Sequence, residues 1–67
     1  MEDQEILERA LEHEEEATQL YRDWAQQTDN DALKDMLLQF AMNESWHASA
    51  LRANLEARTG QEEESVE

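Results

Sequence analysis

Apolar residues in the first half of the chain fall at Leu7, Ala10, Ala17, Tyr21 and Trp24, in steps of three and four once Glu14 is counted in the same register. That is the rhythm of the stripe an α-helix presents to a neighbouring helix. The second half repeats it at Leu33, Leu37, Phe40, Leu51 and Leu55, with Glu44 and His47 standing in the apolar register. Ile6, Leu11, Leu20, Met36, Ala41, Ala48 and Ala50 widen the two stripes. The pattern predicts one helix over about 3–27 and a second over about 31–58.

The break between them is "QTDND" (27–31), where Thr28, Asp29, Asn30 and Asp31 compete for backbone hydrogen bonds and favour a turn. Asn30 is the expected N-cap of the second helix, with Asp31 against its positive end. Thr59 and Gly60 are read as its stop. So short a link makes an antiparallel hairpin, all-α, over residues 1–60, and leaves 61–67 as a flexible acidic tail with little to bury.

Composition sharpens this picture in three ways. The chain has no proline and a single glycine, which suits uninterrupted helices. Its 67 residues can bury only a modest core, and with no cysteine it has neither disulfides nor thiolate ligands, so further support must come from a partner chain or from oxygen and imidazole donors to a metal. Finally, a net charge of −13 repels phosphate backbones and anionic lipids, which argues against nucleic acid and membrane as partners. The opening "MEDQEILERA" has no signal-peptide character and no apolar run reaches membrane-spanning length, so the expected location is cytoplasmic.

Glu14, Glu44 and His47 are the ionisable exceptions in the two stripes, and burying an unpaired charge costs several kcal/mol. Glu14 precedes Asn30 by sixteen residues, while Glu44 and His47 follow it by fourteen and seventeen. At about 1.5 Å of rise per residue, Glu14 then lies level with the gap between the other two, within roughly 3 Å. Any one of them alone would read as a polar residue that fixes register. All three at one height are explained by a cation that cancels their charge. Two carboxylates and one imidazole under-coordinate a metal, and two helices leave a wide apolar face uncovered. A two-fold homodimer removes both deficits, completing a four-helix bundle with four carboxylates and two imidazoles at its centre.

With "EEEATQLY" (14–21), "DNDALKDML" (29–37) and "ESWH" (44–47) in this order, the sequence resembles ferritin-like proteins of the rubrerythrin and encapsulated-ferritin kind over residues 5–58. The resemblance implies a ferritin-like four-helix bundle made from two copies of the hairpin. It implies a ferroxidase that oxidises Fe(II) to Fe(III) with dioxygen for iron storage or detoxification, with two iron ions per dimer and manganese or zinc as possible substitutes. Carried over by position, Glu14, Glu44 and His47 are the metal ligands and catalytic residues, with Glu44 bridging the two metals. It also implies an encapsulin shell as a partner and an encapsulin nanocompartment as a location, although "TGQEEESVE" matches no shell-targeting peptide.

Around this site, Tyr21, His13 and Glu16 are secondary candidates. The Tyr21 hydroxyl is placed to reach a ligand or lend an electron, and His13 and Glu16 flank Glu14 where cations would approach. Trp24 reads as core packing. Trp46 falls away from the seam and predicts a further subunit contact, hence a higher homo-oligomer. Two other functions stay open: a rubrerythrin-like peroxide reductase, disfavoured by the lack of cysteine, and a non-catalytic metal-binding helical module for oligomerisation.

Overall fold

The computed structural model describes the backbone of residues 1–65 and the side chains of residues 1–58. Two helices, α1 (Asp3–Gln27) and α2 (Asp31–Ser65), make up the described residues and pack against each other as a hairpin. The molecule measures 57 × 19 × 12 Å. Since a helix with its side chains is about 10–12 Å across, the hairpin is one helix thick, and neither broad face is covered.

Asn30 turns the chain. Its side-chain Oδ1 accepts from the Leu33 N–H at 3.0 Å, its carbonyl accepts from the Lys34 N–H at 2.9 Å, and its own N–H donates to Thr28 Oγ1 at 3.2 Å. The cap anticipated at Asn30 is therefore formed, satisfying donors that a helix start leaves without partners. Thr28 is extended (φ −98°, ψ 141°), and no described residue takes a positive φ, so the turn requires no glycine.

The expected end of the second helix at Arg58 is corrected. The backbone of α2 continues through Thr59 and Gly60 to Ser65. Glycine ends a helix by adopting a left-handed conformation, which no glycine does here, and within a helix it costs only about 1 kcal/mol. The glutamates that follow are good helix formers. The predicted flexible tail over 61–67 is thus helical in backbone as far as Ser65, and residues 66–67 lie outside the described residues.

The line of closest contact also differs in phase from the predicted stripe. The buried residues are Thr18, Ala25, Ala41 and Ala48, flanked by half-buried Leu7, Leu11, Glu14, Tyr21, Leu37, Glu44, Leu51 and Leu55. Ala25 and Ala41 keep only 1% and 2% of their surface. Small side chains let the helix backbones approach, whereas Trp24, assigned to the core from sequence, stays 47% exposed, as do Leu33 and Phe40 to a lesser degree. By helical geometry Ile6, Ala17, Trp24, Met36, Phe40 and His47 lie on the same broad side of the hairpin. On the opposite broad side, Glu15, Thr18, Gln19, Arg22, Ser45, Ala48 and Arg52 line a shallow polar groove, crossed by an Arg52–Glu15 ion pair at 2.9 Å. No described helix is long and apolar enough to cross a membrane.

Candidate metal centre

Glu14 stands halfway along α1 on the contact line, and α2 brings Glu44 and His47 opposite it, three positions apart and so on one side of that helix. His47 Nδ1 lies 3.4 Å from Glu14 Oε2 and 3.8 Å from Glu44 Oε2. One ligand atom from each residue falls within 4.8 Å of the others, the sole group of this kind among the described residues. The three sequence candidates therefore meet. His47 departs from the expected seam position: its side chain is 63% exposed and lies along the open broad face, while Glu14 and Glu44 keep 20% and 25%. The imidazole approaches the carboxylates from outside the hairpin rather than from within its seam.

The two carboxylates perturb each other. Hydrogen-bonding contact with Glu44 is the main reason the Glu14 carboxyl is held below the usual range, assisted by His47 and by the charge of His13 against an opposing effect of burial. The same contact with Glu14 pushes Glu44 up, reinforced by burial and by the Glu14 charge. The contact therefore makes Glu44 the more readily protonated of the two carboxyls and Glu14 the more readily ionised.

Glu14 Oε2 is sealed from solvent and accepts no hydrogen bond of ordinary geometry from any described group. A buried acceptor without a donor is costly, and a cation is the partner that removes this cost for an ionised oxygen. Two ligands held at about 2.0–2.2 Å from one ion stand at most roughly 4.3 Å apart, so small side-chain rotations close the 4.8 Å spread. The donor set, oxygen with imidazole and no thiolate, suits iron, manganese or zinc.

The secondary candidates separate. His13 is exposed, on the open side next to Glu14, and its charge favours the ionised forms of both carboxylates. Glu16 is exposed and turned about 160° away from Glu14 round the helix, outside the group. Tyr21 makes edge-on ring contacts with Trp24 (centroids 5.8 Å apart) and Phe40 (5.5 Å), so its described role is packing beside the site. Thr18 was not among the sequence candidates; its Oγ1 donates to the Glu14 carbonyl at 2.8 Å and it is buried one turn beyond it. Its signal was the four-residue spacing from Glu14, at which a threonine hydroxyl reaches back along its own helix.

Against known protein families, the chain matches Rubrerythrin over residues 5–67. Comparison with curated proteins and with solved structures finds no match.

Proposed function

From the premise that the chain belongs to the rubrerythrin family, whose ferritin-like domains bind iron, we propose that it is a ferroxidase whose di-iron site is shared by two copies of the hairpin. The observation that carries this reading is the Glu14–Glu44–His47 group, with its orphaned Glu14 Oε2, at the edge of an uncovered apolar face. One hairpin supplies three donors and leaves their outer side open. A second hairpin on the same face, related by a two-fold axis, adds a second set of three and buries Met36, Phe40 and Trp24 in a four-helix core.

Each residue has a distinct task. Glu14 offers the carboxylate that its surroundings hold most readily ionised, with a buried Oε2. Glu44, whose carboxyl the neighbouring Glu14 pushes up, would ionise to add a second oxygen donor opposite Glu14. His47 closes the group from the partner-facing side. Phe40, Tyr21 and the neighbouring leucines limit water once the face is covered. When bound, two ferrous ions supply two electrons, which with two protons reduce dioxygen to hydrogen peroxide and leave two ferric ions for storage.

The test is anaerobic loading with Fe(II), measurement of iron per chain, and admission of oxygen while ferric absorbance is followed. One iron per chain and rapid oxidation are expected, with Glu14→Ala and His47→Ala each lowering iron affinity by at least about 100-fold. Oxidation in these variants as fast as in the wild type would overturn the reading. The family match also favours hydrogen peroxide as the oxidant, in which case two ferrous ions and two protons convert it to two waters. Adding peroxide in place of oxygen to the same loaded protein discriminates: the faster oxidant is the physiological class.

A further inference from the structure

The two helices touch along small buried side chains, Thr18, Ala25, Ala41 and Ala48, which bring the backbones close but interlock little. Such a line resists separation better than it resists sliding or rolling of one helix on the other. Polar ties across it then set the register. Outside the metal centre, the other side-chain hydrogen bonds of the described residues join positions two to four apart, within one helix or at its cap. Arg52 to Glu15, at 2.9 Å, spans 37 positions and ties α2 to α1. Glu15 follows Glu14 directly and leaves α1 about 100° round from it, on the groove side of the contact line. Glu14 is therefore approached by His47 at 3.4 Å from the open side, while its neighbour is held by Arg52 from the back.

We propose that Arg52 and Glu15 are positioning residues for the metal centre, a brace on the back of the hairpin that fixes the rotation and height of α1 at Glu14. The proposal rests on the metal-binding reading of Glu14, Glu44 and His47. Two carboxylates held in contact repel each other once both ionise, and helices that meet through small residues can relieve that repulsion by rolling apart. A tie on the far side of the contact line opposes the roll. Both partners of the pair are about half exposed, at 50% and 53%, so it adds little to the stability of the fold, and its effect falls on geometry. Arg22 supplies the natural comparison. It lines the same groove but has no ion-pair partner among the described residues, and so brings the same charge without the tie. The sign of the effect separates the two roles. A cationic side chain near a cation site opposes the metal through its field, so removing its charge alone strengthens binding. Removing a brace weakens it.

Titration of the full chain with Co(II), whose visible absorption follows the geometry of its ligands, tests the proposal. Arg52→Ala is expected to weaken Co(II) binding about two- to five-fold and to alter the absorption, with helicity by circular dichroism unchanged. Arg22→Ala should bind Co(II) as tightly as the wild type or slightly more tightly. Glu15→Arg combined with Arg52→Glu keeps the net charge and rebuilds the pair in reverse, so it should restore both affinity and absorption, whereas Glu15→Arg alone should not. Arg52→Ala that binds Co(II) at least as tightly as the wild type, equal weakening by Arg22→Ala, or no recovery in the double variant would each overturn the brace. Its failure is distinguishable from failure of the metal centre. Co(II) binding that survives Glu14→Ala unchanged overturns the centre and the brace with it, whereas binding lost in Glu14→Ala but intact in Arg52→Ala overturns the brace alone.

Discussion

α1 and α2 are antiparallel partners, yet they distribute charge and apolar surface in opposite ways. α1 carries eight acids, and its outward side is almost wholly polar. α2 carries four acids as far as Arg58, and apolar residues occur all round it: Ala41 and Ala48 toward α1, Met36 and Phe40 on the open face, Leu38 and Met42 behind. A helix with one apolar stripe belongs on a surface, and one that is apolar on every side belongs in an interior. The isolated hairpin provides no interior for α2, which is the difference the proposed shared bundle would resolve.

The largest break in this asymmetry should come from charging the open face. Phe40→Glu is expected to abolish the proposed dimer and its metal binding, at about 2–4 kcal/mol per copy as for a central aromatic anchor. Glu16→Lys on α1 should change stability by less than roughly 0.5 kcal/mol. Sedimentation and thermal melts read both, and equal effects of the two substitutions would remove the distinction between the helices. A smaller effect is expected on the contact line. Ala41→Leu forces the helix axes apart at a residue 2% exposed and should cost about 1–3 kcal/mol, whereas Ala53→Leu, on exposed α2 surface, should be near neutral.

The smallest effect is a pH dependence of the metal-free protein. Because Glu44 is raised, its contribution to stability is present below the ordinary carboxylate range and is lost as pH rises through its folded-state value. Glu14, being lowered, contributes above the ordinary range and loses that contribution as pH falls through its own folded-state value. Melting temperatures of metal-free protein should therefore decline from mildly acidic toward neutral pH, and Glu44→Gln should flatten that decline. Added Mn(II) should reverse the slope, because ligation needs both carboxylates ionised. A wild-type profile indistinguishable from that of Glu44→Gln would show that the pair carries no linkage.

Much of this was legible in the order of residues. The hairpin, the turn and the Asn30 cap follow from helical periodicity interrupted once by side chains that bond to nearby backbone. The convergence of Glu14, Glu44 and His47 follows from counting residues either side of that turn, since rise per residue is nearly invariant in a helix. The phase of the contact line did not follow. A three-and-four rhythm records which positions are apolar but not how large they are, and close approach of two helices selects Ala25, Ala41 and Ala48 over Trp24 and Phe40. The larger residues read as core because a three-and-four spacing does not distinguish the seam of a hairpin from the broader interior of the proposed four-helix bundle. The end of α2 was missed for a different reason: Gly60 permits a left-handed stop without requiring one.

The two tryptophans stand on different sides of the molecule, Trp24 on the open face and Trp46 on the back of α2, and both are substantially solvated in the single hairpin. Indole emission shifts to shorter wavelength when water is excluded, and paramagnetic ions quench it at short range. The chain therefore carries its own optical labels, one for each surface. With either tryptophan replaced by phenylalanine, the emission of the other reports the covering of its face alone, so whether metal binding precedes or follows the proposed pairing of hairpins can be followed in one cuvette without an added dye.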